Sequence, residues 1–198
     1  MRITIVGGGN IGTQFAAHCA EKNHEVTVFT SKPNMFSRSL KTVNEINVVE
    51  HQGIIKKATS DPKEAFKNAE CVMVTVPAAL MDQIANIVYD NAPSNALIGL
   101  IPGTGGGECS FSKCIDRGNI VFGLERVPSV ARLVKYGETV RAVGYRDCLR
   151  VASLPAKHAE KCSSLMSLIF DMPCLTIPNY LNITMTPSNP LLHTTRLR

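Results

Sequence analysis

At 198 residues the chain is long enough for one large domain, or for one domain and part of another, and either buries a proper core. Hydrophobic residues at 44% against charged residues at 19% exclude a disordered or fibrous chain. The net charge of +5 comes from dispersed Lys and Arg, and with no Trp and only four Tyr for base stacking it argues against a nucleic-acid partner.

Seven cysteines are spread from Cys19 to Cys174 without a CxxC pair, which reads as reduced thiols. Cys109 and Cys114 lack a second ligand pair at zinc spacing, so no metal is assigned to them and both are expected to be structural thiols. The opening residues lack the apolar run of a signal peptide, and no apolar stretch approaches the ~18 residues that span a bilayer. The expectation is a soluble, cytoplasmic protein with no membrane partner.

The first element is "ITIV", a short β-branched run with turn residues directly after it, as a buried parallel strand requires. "GGGNIG" follows and matches G-x-G-x-x-G through Gly7, Gly9 and Gly12, with Asn10 and Ile11 inside the motif. "TQFAAHCAEKNH" then carries Phe15, Ala16, Cys19 and Ala20 at helical spacing. The three glycines serve different ends, since Gly7 makes the tight turn, Gly9 lets backbone approach a diphosphate, and Gly12 lets helix pack on strand. The helix N-terminus adds free N–H groups and the positive end of a dipole. The alternative is a plain tight turn. Against it stands the second β-branched run, "HEVTVFT", at the distance a βαβ unit requires, and the order predicts dinucleotide binding.

The tip of that second strand selects the cofactor, because an Asp or Glu ~20 residues beyond the glycines accepts hydrogen bonds from the ribose 2′-hydroxyl of NAD. Thr30 stands there instead, followed by Ser31 and Lys32, with Arg38 beyond. Hydroxyls and cations suit a 2′-phosphate, which a carboxylate would repel, and this favours NADP over NAD. A solvated loop with NAD bound in the absence of a carboxylate is the other reading.

"EINVVE" and "IIKKAT" around Gly53 predict an added hairpin, and "PKEAFKNAE" a short helix opened by Asp61 and Pro62. "CVMVTVP" is an apolar strand, "ALMDQIANIVYD" has helical spacing through Leu80, Ile84, Ile87 and Val88, and "ALIGLIPG" is a further buried strand. The alternation predicts an α/β fold of Rossmann type, doubly wound around a mostly parallel sheet. Ligands in this architecture sit at strand C-termini, so "TVPAAL" and "IPGTGGGE" are expected to line the cofactor. Val76 and Pro77 offer a stiff apolar wall for adenine or nicotinamide. Gly103 and Gly105, with Gly106 and Gly107, allow close backbone approach, unless the loop is a mobile turn without a ligand.

Five segments together carry a family resemblance: "ITIVGGGNIGTQFAAHCA", "VTVPA", "IPGTGGGE", "RVPSVARLVKYGETVRAVGYR" and "NPLLHTTRL". Their order and rough spacing resemble the octopine/nopaline (opine) dehydrogenases over nearly the whole chain. The glycine motif and "VPA" are shared with other dehydrogenases, including ketopantoate reductases; the other three are more specific as a set. The resemblance implies an NAD(P)H-dependent enzyme that reductively condenses an amino acid with a 2-oxo acid, and it places a catalytic histidine at His193, whose imidazole exchanges protons near neutral pH. The other histidines, His18, His24, His51 and His158, are expected in surface or packing roles.

The family's members continue into a helical domain after this motif. The expected organisation is therefore a dinucleotide-binding domain over residues 1–180 and, at 181–198, the start of a truncated helical substrate domain, with Leu191, Leu192 and Leu197 on an uncovered helix face. A homodimer in which partner chains complete the site is an alternative, as are a ketopantoate reductase-like enzyme and a non-catalytic dinucleotide-binding regulatory module.

Overall fold

The structure, a computed structural model, describes residues 1–186. The chain opens with β1 (Arg2–Val6), the glycine turn, α1 (Asn10–Glu21) and β2 (Glu25–Phe29), the predicted unit at the predicted place. After a 3-10 turn over Pro33–Met35, β3 (Ser39–Val43) and β4 (Val49–Ile54) form an antiparallel hairpin, and β5 (Lys57–Thr59) returns alongside β2. The α2 helix (Pro62–Ala65), β6 (Cys71–Val74), α3 (Met81–Asn91) and β7 (Leu97–Leu100) continue the winding. Two short helices, α4 (Gly107–Ser110) and α5 (Ser112–Asp116), precede β8 (Ile120–Leu124). The remainder is β9 (Val130–Lys135), β10 (Thr139–Val143), β11 (Leu149–Leu154), α6 (Ala159–Phe170), β12 (Cys174–Thr176) and α7 (Leu181–Thr184).

The main sheet has eight strands in the order β12-β11-β8-β7-β6-β1-β2-β5. From β5 to β8 all pairings are parallel, and the order is that of a doubly wound dinucleotide fold, with β1 at the centre where the winding reverses. The β11 strand then pairs antiparallel with β8. Both faces are covered, so the strands read as unbroken apolar runs: Ile3, Ile5, Cys71 and Met73 pack toward α1 and α6, while Val6, Val72, Val74, Ile98 and Leu100 pack toward α3 and α5. Cys19, Cys71 and Cys162 lie in the first of these cores, and burial pushes the Cys162 thiol up to about 12. Cys114 is buried as expected; Cys109 is exposed.

Two sequence expectations shift. The hairpin does not turn at Gly53: the turn lies at residues 44–48, and Gly53 sits inside β4 against α1, where a Cβ would come within 2.4 Å of the Ala17 carbonyl oxygen. On α3 the buried stripe is Met81, Ile84, Ala85 and Val88, which keeps Ile84 and Val88 as expected, whereas Leu80 closes a 3-10 turn (Ala78–Leu80) ahead of the helix and is exposed.

A second, four-stranded sheet, in the order β4-β3-β10-β9, joins the early hairpin to a late one through the parallel pair β3 and β10. It covers the side of α1 that faces away from the main sheet. Every residue of α1 from Gly12 to Ala20 is therefore buried, including Gln14 and His18, as a helix enclosed on both sides must be. Phe170 of α6 meets Phe15 edge-to-face at 4.7 Å between ring centres. Among the described residues no helix is long and apolar enough to cross a membrane.

Candidate cofactor-binding site

The turn after β1 is shaped by its glycines. Gly7 has φ +108°, a conformation that L side chains rarely adopt, and its N–H donates to the Phe29 carbonyl at 3.0 Å. At Gly12 a Cβ would lie 1.9 Å from the Gly7 carbonyl oxygen, so only glycine allows helix and turn to meet. Gly9 differs from both. Nothing lies within 4 Å of its would-be Cβ, and the backbone there opens outward. The first turn of α1 has no side-chain cap and no acidic residue, which leaves its N–H groups and the positive dipole end directed at open space.

That space is a cleft of about 840 Å³ at the carboxyl ends of the parallel strands. Of the residues expected from sequence, it brings together Gly9, Asn10 and Ile11 from the glycine turn, Val76 and Pro77 from the loop after β6, and Gly105 from the loop after β7. Thr75 locks two of these loops together by donating its hydroxyl to the Val6 carbonyl at 2.8 Å.

Gly103 does not join that wall. It is buried, and a Cβ would meet the Gly123 Cα at 2.6 Å and the Tyr180 hydroxyl at 2.8 Å, so its glycine is required for packing. The glycine-rich loop is also tied from behind by α7. The Gly105 and Gly106 N–H groups donate to the Thr184 carbonyl and hydroxyl at 3.1 and 2.8 Å, and that hydroxyl in turn donates to Glu108 at 3.0 Å. Those two amides are committed within the protein, while Gly105, Gly106 and Gly107 line the cleft.

Thr30, Ser31 and Lys32 stand apart, beyond the tip of β2. Thr30 is buried; its hydroxyl lies 3.3 Å from that of Tyr136 and accepts from the Lys32 N–H. Ser31 and Lys32 are exposed, and the Lys32 ammonium sits 5.8 Å from the Tyr136 ring centre. His193 lies outside the described residues.

Sequence reasoning missed the β9–β10 hairpin as part of this site. The Leu133 N–H donates to Asn10 Oδ1 at 2.8 Å, tying the hairpin to the glycine turn, while Ser37 N–H donates to the Gly137 carbonyl at 2.8 Å, tying its tip to the segment after β2. The hairpin therefore spans from Asn10 to Thr30. Arg126, Arg132 and Arg146 line the cleft on this side, together with Glu125, and Asp82 stands on the opposite wall. The available signal is position: "LERVPS" follows the apolar run of β8, at a strand C-terminus where ligands sit.

Comparison with known proteins agrees with this geometry. Residues 2–110 match the family described as NAD-dependent glycerol-3-phosphate dehydrogenase N-terminus. The chain belongs to that family. It is 30% identical over 208 residues to the uncharacterized protein y4xO of Sinorhizobium fredii (strain NBRC 101917 / NGR234), a match that takes in 98% of this chain and 54% of that protein. It is 26% identical over 103 residues to the glycerol-3-phosphate dehydrogenase (NAD(P)+) of Thermoanaerobacter sp. (strain X514), covering 50% of this chain and 30% of the relative.

Among solved structures, octopine dehydrogenase in complex with NADH and L-arginine superposes with a TM-score of 0.81 at 19% identity, over 92% of this chain and 50% of that one. The 2-dehydropantoate 2-reductase of Geobacter metallireducens GS-15 gives 0.74 at 16% identity, over 92% and 60%. The likeness to opine dehydrogenases thus holds for the fold. The chain spans about half the length of the octopine dehydrogenase and of the Sinorhizobium protein.

Proposed function

We propose that this chain is the dinucleotide-binding part of an NAD(P)H-dependent oxidoreductase of the opine dehydrogenase type. The observation that carries the reading is the convergence on one cleft of the open approach at Gly9, the uncapped α1 N-terminus and the apolar Val76–Pro77 wall. Backbone N–H groups at Gly9, Asn10 and Ile11 would hold the diphosphate, and Val76 and Pro77 would bear on a flat ring. The bound dinucleotide supplies the hydride.

Exposed Ser31 and Lys32, a hydroxyl and a cation where the chain at the tip of β2 carries no Asp or Glu, support NADP over NAD. Arg126, Arg132 and Arg146 give the cleft three cations against Glu125 and Asp82, which suits a 2-oxo acid whose carboxylate must be held beside an amino-acid partner. Residues 1–180 act as the dinucleotide domain and 181–198 as the link to a helical substrate domain, with His193 exchanging protons during condensation and reduction.

NADPH should raise the melting temperature of this chain, because a ligand that binds only the folded state stabilises it. No shift with either NADPH or NADH removes the reading. Lys32→Ala should weaken NADPH about tenfold and leave NADH nearly unchanged, a loss of ~1.4 kcal/mol; equal effects on both cofactors assign Lys32 to the solvated loop. The fold likeness to 2-dehydropantoate reductases supports a second reading. Turnover of ketopantoate against turnover of an amino acid plus pyruvate, measured on the full reading frame, separates the two. In that protein His193→Ala should abolish turnover and retain cofactor binding.

A further inference from the structure

The seam between α1 and the small sheet is polar, although both elements are buried there. His18 and Glu21 stand three residues apart on α1 and so share one helix face. His51 reaches them from β4. Its Nδ1 lies 2.8 Å from Glu21 Oε2, and its ring is centred 4.1 Å from that of His18. One donor atom from each of the three side chains falls within 4.8 Å of the other two, and this is a group of potential metal ligands among the described residues.

We propose that His18, Glu21 and His51 form a divalent-metal site of the zinc type, which clamps the four-stranded sheet onto α1. Two imidazoles and a carboxylate are a borderline donor set that suits Zn²⁺ and its neighbours, whereas Mg²⁺ and Ca²⁺ prefer all-oxygen sites. Tetrahedral bonds of ~2.0–2.2 Å place ligand atoms ~3.3 Å apart, so small side-chain adjustments suffice to gather this set about an ion.

Three further observations favour an ion over a packed hydrogen-bonded cluster. Gln14 Oε1, one turn before His18, and Thr42 Oγ1, opposite His51 in the β3–β4 ladder, are buried without a hydrogen-bond partner. Both residues are fully buried, and buried polar atoms without a partner beside the cluster favour a bound ion with its coordinated water. The Tyr145 hydroxyl, 3.0 Å from His18 Nε2 and 3.4 Å from Gln14 Nε2, stands ready as a fourth donor or as an outer partner. Glu21 and His51 keep 30% and 27% of their side chains exposed, which leaves an ion a way in.

The site's role is structural. His18 lies eight residues beyond Asn10 and hence ~12 Å down the helix from the glycine turn. The proposal departs from the sequence expectation of no metal, which rests on Cys109 and Cys114 alone.

The test uses the purified 198-residue chain after stripping with a chelator. Zn²⁺ titrated against a chromophoric competitor should bind one-to-one and raise the melting temperature, and Co²⁺ should give the intense visible bands of a tetrahedral site; Mg²⁺ should do neither. His51→Gln and Glu21→Gln, at partly exposed positions, should each weaken Zn²⁺ by ~100-fold or more while far-UV circular dichroism shows the fold intact. Absence of uptake by the wild-type chain overturns the proposal. So does uptake that survives both substitutions, which moves the metal to other residues such as the exposed thiol of Cys109. If either variant fails to fold, the Co²⁺ spectrum of the wild-type chain decides, since thiolate ligation adds a near-ultraviolet charge-transfer band that a site of two imidazoles and a carboxylate lacks.

Discussion

The two sheets of this molecule are assembled by opposite strategies. In the large sheet β1 with β2, and β6, β7 and β8 in turn, are laid beside the next strand of a βα unit. The small sheet pairs β3 with β10, joining Lys41 to Thr139 across most of the length of the domain. The one helix they share, α1, belongs by sequence to the first sheet and by burial to both. A binding site at the N-terminus of α1 therefore draws on local and remote sequence at once: Asn10 comes from the first, and the Leu133 amide that holds it comes from the second.

Glycine substitutions at the two faces of α1 separate these contributions, and they should have the largest effects. Gly12→Ala places a methyl 1.9 Å from the Gly7 carbonyl oxygen, against backbone that cannot yield. A loss of more than ~3 kcal/mol in stability is expected, with dinucleotide binding abolished, measured by denaturant melts and cofactor titration. Gly53→Ala acts on the other face, where the new methyl lies 2.4 Å from the Ala17 carbonyl oxygen and 2.6 Å from the Ala20 Cβ. It should cost ~2 kcal/mol and reduce amide-exchange protection in β3, β4, β9 and β10 while β1, β6 and β7 keep theirs. Equal loss in both sets means that the two sheets unfold as one unit.

How much of this is legible in the sequence follows the same division. The glycine turn, the strand–helix–strand alternation from β1 to β2 and from β6 to β7, and the Val76–Pro77 loop are readable because each rests on residues adjacent in sequence. The β9–β10 hairpin enters only through a family likeness, since "RVPSVARLVKYG" has no local reason to lie over a turn more than a hundred residues earlier. His18 reads as an ordinary packing residue of the first helix. Its neighbours His51 and Tyr145 come from β4 and the segment after β10, and no spacing rule brings them together. Gly53 reads as a turn residue because glycine more often makes turns; here it is required by close approach to a helix. Thr30 is marked out by its distance from the glycines, but its burial beneath Tyr136 depends on the same remote hairpin.

A middle-sized effect is expected at the junction itself. Asn10→Ala removes the acceptor of the Leu133 N–H and should cost ~1 kcal/mol, with faster exchange at the Leu133 amide. Asn10→Asp keeps the acceptor and adds negative charge at a helix N-terminus, so stability should hold or rise. The same charge faces the proposed diphosphate, and dinucleotide affinity should fall about tenfold. If affinity is unchanged in Asn10→Asp, the phosphates do not lie at this end of α1, and the hairpin contact is purely structural.

The smallest effect belongs to the large sheet alone. His24, in the turn between α1 and β2, accepts through Nδ1 from the N-terminal ammonium of Met1 at 3.2 Å, and desolvation by burial together with that positive charge holds its pKa below the ordinary value of 6.5. The unfolded chain therefore binds this proton more readily than the folded one. The contribution is fully present above the unfolded pKa and is lost as pH falls below it. His24→Gln should remove that part of the acid sensitivity, so its melting temperature should fall less than that of the wild type between about pH 7.5 and about pH 5.5, both followed by circular dichroism with chelator present. Parallel curves for the two proteins assign the acid response to other groups.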